Sequence, residues 1–421
     1  MSNFRGAVRI GAAVILIAIC TGTACALFLW LLEVATAFRH RYPELVWLLP
    51  VAGLSSGWLY FRWGSQVEAG NNLILNQIHQ PSQGVPLRMA PMVLAGTLIT
   101  HLFGGSAGRE GTAVQMGGSL ASQIGRWFKF QGAEEQRQLL KAGIAAGFAG
   151  VFGTPIAGAV FALEIIAAGR IRIPLLASCL VAAFISDRVC LLWGIGHTHY
   201  SIAAGSLSYL TEFTSLFTTS TLILMLTICA AAVAFGFTSR LFCVTTHAMA
   251  RWSVRLVARP WLRPVIGGLV VLALMLAVGT KDYLGLGVDA PDTKAVTIVS
   301  CFRPGGADPL SWLWKLLFTA VTVGSGFKGG EVTPLFFIGA AMGNCLATLS
   351  GLPVDLLAGL GFVSVFAAAT KTPIACTLMA IELFGAEYTL WFAISCVVAT
   401  LVSGPDGIYR SQRRTDSGSS A

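Results

Sequence analysis

Stretches free of Asp, Glu, Lys and Arg, of very unequal length, restrict the fold of this chain more than any other feature. Residues 213–239 form such a run of 27, residues 89–108 one of 20, and residues 388–405 one of 18. Each approaches or exceeds the roughly 20 apolar residues that a helix needs to cross a bilayer. Others fall short: 111–125 has 15 residues, 173–186 has 14, 356–370 has 15, and 142–163 holds five glycines and Pro155. Hydrocarbon offers no partner for backbone N–H and C=O groups, so broken helices at that depth must face protein or a water-filled cavity. Short, Gly/Pro-interrupted apolar segments mark helices that stop partway across the membrane beside a binding site. The pattern predicts an all-α polytopic membrane protein with an internal polar site. Charged residues make up only 11% of the chain, against roughly 25% in soluble domains, which excludes an ordinary soluble enzyme, a coiled coil and a disordered chain. The balance of 28 Lys+Arg against 19 Asp+Glu gives +9. These basic residues are dispersed, as expected beside membrane helices, so a lipid bilayer is the expected partner and nucleic acid is not.

Arg5 and Arg9 precede a charge-free run over 10–32 and small residues near Ala24, an imitation of a signal peptide. Its 23 residues exceed a secretory apolar region of about 7–15, so a retained first membrane helix is expected. The ten cysteines are scattered without a C-x-x-C pair or a His at zinc spacing. Inside apolar stretches free Cys acts as a small hydrophobe. No disulfide, metal site or cofactor is expected.

The chain repeats itself. Thr154-Pro155-Ile156-Ala157-Gly158-Ala159-Val160-Phe161-Ala162-Leu163-Glu164 returns as Thr372-Pro373-Ile374-Ala375-Cys376-Thr377-Leu378-Met379-Ala380-Ile381-Glu382, identical at six of eleven positions with an offset of 218. Upstream of each copy lies a Gly-rich segment, 104–112 and 324–334. Setting Gly108 against Gly330, an offset of 222, brings Gly117 onto Gly339. Two repeats broken at matching places predict one transport domain over 1–421, with a first repeat at about 10–195, a second at about 213–410, and a site between them.

Three chemistries compete for the first Gly-rich segment. Gly104-Gly105-Ser106-Ala107-Gly108 fits the G-x-S-x-G elbow of serine hydrolases, with His101 as a possible base. That motif belongs on a strand–turn–helix, and no acid is placed to orient the histidine. A phosphate loop lacks its Gly-Lys-Ser/Thr. A helix N-terminus aimed at an anion needs only close backbone approach, free N–H groups and the helix dipole. This third reading also accounts for Glu110, since a carboxylate deep in an apolar region is a functional signal. Its ionised form can take an anion's place at the helix start and leave it once protonated, which makes it both gate and proton carrier.

Gly108-Arg109-Glu110-Gly111, the 154–164 segment, Gly330-Glu331-Val332-Thr333-Pro334, the 372–382 segment and Gly407-Ile408-Tyr409, in that order along nearly the whole chain, resemble the CLC chloride channel and transporter family. The resemblance implies a CLC-type fold of two inverted repeats with tilted, broken helices. It implies a homodimer with one pore per subunit, in the inner (plasma) membrane of a bacterium, a transporter rather than an enzyme. Twelve residues follow Tyr409, so no soluble regulatory domain is expected. It also implies an anion site at Asn71, Gly108, Arg109, Gly111, Val332, Thr333 and Tyr409.

The chain departs from the chloride-type pattern. Where chloride-type members have Gly-Ser-Gly-x-Pro, it has Gly70-Asn71-Asn72-Leu73-Ile74. Thr112 replaces the Pro after the gating motif, and Ile165 stands where exchangers carry an internal glutamate. Glu331 lies instead inside the second anion loop. Together these resemble the fluoride/proton antiporter subgroup. Fluoride holds its hydration strongly, so its site must supply compact donors in place of water. The Asn71 amide offers two N–H donors and Thr333 one hydroxyl, although Asn71 also suits a helix cap. The expected function is export of fluoride in exchange for protons. Chloride/proton exchange or a passive chloride channel is the alternative in the same fold, and an intramembrane hydrolase the distant one. A permanent carboxylate at Glu331 would repel the anion. Glu331 is therefore read as a second proton station, with an ion pair to Lys328 or Arg109 as the rival reading and a solvated, idle side chain as the third.

Overall fold

The computed structural model describes residues 2–166, 173–198, 200–202, 219–288 and 290–412. Among these, fifteen α-helices and no strand are found. The first half contains α1 (Ser2–Arg41), α2 (Leu49–Trp63), α3 (Asn71–His79), α4 (Met89–Leu102), α5 (Glu110–Trp127), α6 (Ala133–Phe152), α7 (Pro155–Glu164) and α8 (Ile173–Leu192). The second contains α9 (Thr219–Leu256), α10 (Arg263–Val278), α11 (Ser311–Gly324), α12 (Val332–Ser350), α13 (Val354–Thr370), α14 (Pro373–Phe384) and α15 (Thr389–Val402). Five helices are long and apolar enough to span a bilayer, and five more apolar helices have only 10–17 residues.

Three of the expected spans differ in extent. The 89–108 run is not one crossing: α4 ends at Leu102, and Gly104 at φ +86° turns the chain before α5 begins. The 388–405 run yields only the 14 residues of α15, closed by Gly404 at φ +78°. Conversely, 173–186 continues to Leu192, because α8 carries Asp187 and Arg188 inside the helix, with Asp187 buried against His197. Of the 213–239 run, residues 213–218 lie outside the described residues.

The repeat seen in the sequence is an antiparallel pairing in space. Helix α5 crosses α6 where Gly117 meets Gly143, and α12 crosses α13 where Gly339 meets Gly361. A Cβ on Gly117 or Gly339 would come within 2.1 Å of the facing glycine's carbonyl oxygen, so the close crossings require glycine in both halves. The conserved spacing of the two T-P-I-A segments has its own mechanical consequence. Pro at the first turn suits α7 and α14, but the threonines before them cap nothing. Instead Glu382, in α14, accepts the N–H groups of Ile156 and Ala157 at 2.9 and 2.8 Å. Glu164, at the end of α7, accepts those of Ile374 and Ala375 at 3.0 and 2.7 Å. Each half thus satisfies orphan donors of the other half's helix with a negative charge at its positive end. Aromatic packing continues this seam. Phe336 of α12 stacks on Phe362 of α13 at 3.9 Å between centroids, and Phe366 of α13 packs on Phe148 of α6 and Phe161 of α7.

Candidate anion and proton site

Both Gly-rich segments are non-helical where they meet. Gly108 and Gly330, the glycines made equivalent by the sequence offset, exchange two backbone hydrogen bonds, 2.6 and 2.7 Å long. Gly329, at φ +155°, lies so close to Ala107 that a Cβ would sit 2.5 Å from that methyl. This contact brings the N-termini of α5 and α12 to one point. The first N–H groups of each helix have no partner within their own helix, so the point carries positive potential.

Glu110, only 1% exposed, places its carboxylate there. One oxygen accepts the backbone N–H groups of Arg109 and Thr333, both at 3.1 Å. The other accepts a hydrogen bond from the Thr333 hydroxyl, with the Arg109 Nε 3.7 Å away. A residue of the first half therefore fills the N-terminal cradle of the second. Charge-assisted bonds of this kind contribute about 1.5–3 kcal/mol each, which offsets the several kcal/mol cost of burying the carboxylate. Thr112 does not touch the cradle; its hydroxyl bonds Thr97 of α4 at 2.7 Å.

Asn71 is the first residue of α3, and Gly70 at φ +56° takes the cap position with no side-chain cap bond. The Asn71 amide points elsewhere. Its Nδ2 lies 3.1 Å from where a Cβ on Gly111 would sit, beside the start of α5, and its Oδ1 is buried without a partner. Gly111 in turn approaches Gly330, whose Cα would be 3.2 Å from a Gly111 Cβ. Val332, buried, forms the first turn of α12 with Thr333. Tyr409 is buried within electrostatic reach of both Glu110 and Glu331. Its segment is tied down by the Ile408 N–H on the Ala369 carbonyl at 2.9 Å and the Ser411 N–H on the Asn72 side chain at 3.1 Å. The sequence reading gave Asn72 no part. An Asn beside Asn71 carries no signal that it holds a segment more than three hundred residues away.

Glu331 stands immediately before α12, with no side-chain cap bond, and lines a cavity of about 490 Å³ together with Glu68, Asn72, His247, Lys328 and Arg410. Its two proposed cationic partners are engaged elsewhere. Arg109 faces Glu110, and the Lys328 ammonium lies over the Tyr60 ring at 4.2 Å; neither forms an ion pair with Glu331 among the described residues. Glu110 and Thr333 line a separate, narrow cavity of about 20 Å³ with Arg109, Phe152, His197 and Phe336. The two cavities share no lining residue.

The hydrolase geometry is absent. His101 places Nδ1 2.9 Å from the Thr97 carbonyl and Nε2 3.0 Å from the Ala107 carbonyl. Ser106 bonds Thr319 at 2.9 Å instead. Nucleophile and base do not meet, and the helices around them offer no elbow.

A sequence model described as voltage gated chloride channel matches residues 52–404. The chain belongs to the voltage-gated chloride channel, or CLC, family. Among CLC relatives, it is 48% identical over 404 residues to a chloride/fluoride channel protein of Pseudomonas syringae pv. tomato, covering 94% of this chain and 85% of that one. It is similar to the crystal structure of a CLC-type fluoride/proton antiporter, with a TM-score of 0.87 at 33% identity over 96% and 98% of the two chains. A slow cyanobacterial Cl⁻/H⁺ antiporter shares the CLC fold at a TM-score of 0.76 and 20% identity, over 95% and 96% of the chains. The CLC fold of inverted halves and broken helices, in a multi-pass membrane protein, is therefore the architecture of this chain, and its relatives are channels and transporters.

Proposed function

We propose that this protein is a fluoride/proton antiporter that exports fluoride from the cytoplasm across the inner membrane, driven by inward proton flow. The carrying observation is the Glu110 carboxylate seated in the α12 cradle on the Thr333 N–H and hydroxyl. A seat that holds one compact anionic group by N–H and hydroxyl donors suits another. Protonation removes the charge that the donors and the two helix dipoles stabilise, so Glu110 leaves and a fluoride ion takes its place. Deprotonation reverses the exchange. Gly108, Gly111 and Val332 supply the backbone approach. Asn71, with its amide beside Gly111, and Tyr409 complete the anion path, and Arg109 balances the charge of Glu110.

Glu331 serves as the second proton station, on the larger cavity. It replaces the glutamate missing at Ile165. Fluoride is favoured over chloride because the position of the chloride-type serine holds Asn71 and because the seat is built of a small hydroxyl and N–H groups. Chloride/proton exchange is the competing reading in this fold, and a homodimer in the bilayer is the proposed assembly. Purified protein in liposomes loaded in parallel with fluoride and with chloride tests this. Fluoride efflux with proton uptake, at least about tenfold faster than chloride efflux, is expected. Equal rates for both ions, or fluoride efflux without proton movement, would overturn it.

A further inference from the structure

Beyond the two glutamates, the narrow cavity holds a third titratable side chain. His197, in the segment after α8, lines the same space of about 20 Å³ as Glu110 and Arg109. That volume admits a single water molecule. Two acceptors face the imidazole: Nδ1 is 3.2 Å from the Val151 carbonyl and Nε2 is 3.4 Å from Asp187 Oδ1. Nδ1 is thus engaged by the Val151 carbonyl, whereas Nε2 is buried and makes no hydrogen bond in this arrangement, so Nε2 is the ring nitrogen left to exchange a proton with a water in the cavity.

The repeat shows that this placement is specific. Gly153 ends α6 in the left-handed region, and Lys371 ends α13 in the same conformation, at φ +69° and +60°. They are equivalent at the offset of 218. The second half therefore accepts a side chain at this backbone position, and the first half needs glycine for another reason. A Cβ on Gly153 would lie 2.4 Å from His197 Cδ2. The glycine makes room for the histidine.

We propose that His197, held by Asp187, is a proton relay for Glu110 on the side of the site away from Glu331. The imidazolium releases its Nε2 proton to the water in the cavity, that water passes a proton to a Glu110 carboxylate oxygen, and His197 regains a proton from solution. No electron pair moves beyond these bonds. The charged groups beside the ring are Asp187 from α8, at 3.4 Å, and Arg109 and Glu110 from the start of α5, which line the same cavity; the largely exposed Arg188 lies 3.9 Å from Asp187. Glu382, of the other half, feels the charge of Asp187.

The inference rests on the antiporter reading, and its test separates the two. Wild-type protein in liposomes is assayed for proton-coupled fluoride flux while the pH on the Glu110 side is varied. Absence of proton coupling in the wild type would remove the antiporter reading and this one together. With coupling present, the wild-type rate should rise in a step as the pH falls. His197→Gln should lose that step and slow proton uptake about fivefold to tenfold at low pH, with fluoride affinity unchanged by calorimetry. Asp187→Asn, which removes the carboxylate 3.4 Å from Nε2, should displace the pH profile of the rate toward lower pH. A His197→Gln protein with the wild-type pH profile overturns the relay. So does an Asp187→Asn protein with an unmoved pH profile, which decides the matter even where the histidine variant does not fold.

Discussion

The starts of α5 and α12 are two copies of one backbone with opposite side chains. The residue before each helix has nearly the same conformation, φ −113° and ψ −22° at Arg109 against φ −105° and ψ −12° at Glu331. Gly108 and Gly330, just before them, bond each other reciprocally. Yet Arg109 stands opposite Glu331, Glu110 opposite Val332, and Gly111 opposite Thr333. The first half supplies the occupant, a carboxylate on a flexible stem. The second supplies the receptor, a hydroxyl and N–H groups behind an apolar first residue. Symmetry of the backbone makes one positive point from two helix ends. Asymmetry of the side chains makes that point directional, with Glu110 on one cavity and Glu331 on the other.

The most drastic way to break the comparison is to neutralise the occupant. Glu110→Gln keeps shape but removes the charge that competes with fluoride in the proposed exchange and the proton that Glu110 carries there. Proton-coupled fluoride flux in liposomes should fall at least about a hundredfold. A variant that still moves protons against a fluoride gradient at the wild-type rate would show that Glu110 is not the carrier. Glu331→Gln acts on the other side. It should abolish proton coupling and lower fluoride turnover about tenfold, while gel filtration still shows a folded assembly. Intact coupling in a folded Glu331→Gln protein would take Glu331 out of the proton path and leave the two helix starts unequal for a structural reason alone.

Asn71→Ser sharpens the comparison from the flank. It substitutes the hydroxyl of chloride-type members for the amide beside Gly111. One donor in place of two should lower the fluoride-to-chloride preference about tenfold, equivalent to one hydrogen bond of about 1.4 kcal/mol. Parallel efflux assays with the two ions measure the ratio. Because Asn71 does not cap α3, an unchanged ratio could not be attributed to a capping role and would remove the residue from the site.

The repeat was legible because glycine and proline punctuate helices by backbone geometry alone, which leaves a fixed offset in the sequence. The equivalence of Gly108 and Gly330 followed from that offset, and so did a site between the halves, but not the hydrogen bonds by which the two glycines pair. Helix extents were less legible. A charge-free run cannot reveal that Gly104 turns the chain after Leu102, nor that α8 tolerates Asp187 by burying it against a histidine ten residues later. The seat of Glu110 on Thr333 was legible only in part, since the sequence placed both at a helix start but not in contact. Asn72 and His197 were missed, because their partners are distant and their residue types are common in loops. Glu164 and Glu382 were visible as the last identity of the repeat, but a shared glutamate does not state that it caps the helix of the opposite half.

Those two glutamates give the smallest expected effect and the finest test of the symmetry. In Glu164→Gln the carboxylate that receives Ile374 and Ala375 becomes an amide with one acceptor oxygen. One N–H of α14 then loses its partner, and the helix start loses its negative charge. Glu382→Gln does the same to α7 through Ile156 and Ala157. Loss of a cap of this kind costs about 0.5–2 kcal/mol, and the lost dipole contact a similar or smaller amount. In a chain of 421 residues that corresponds to a fall of a few °C at most in thermal midpoint. The two variants should fall by similar amounts, with Glu164→Gln the larger, because Glu164 is nearly buried while Glu382 is partly exposed and water can replace its missing acceptor. Fluoride flux per folded protein should stay within about twofold of wild type, since neither glutamate lines the cavities of Glu110 or Glu331. Thermal unfolding in detergent, followed alongside flux, measures both quantities. A loss confined to one variant would mean that the two caps, alike in geometry, do not carry equal weight. A loss of flux without a loss of stability would mean that the seam between the halves moves during transport and that these glutamates restrain it.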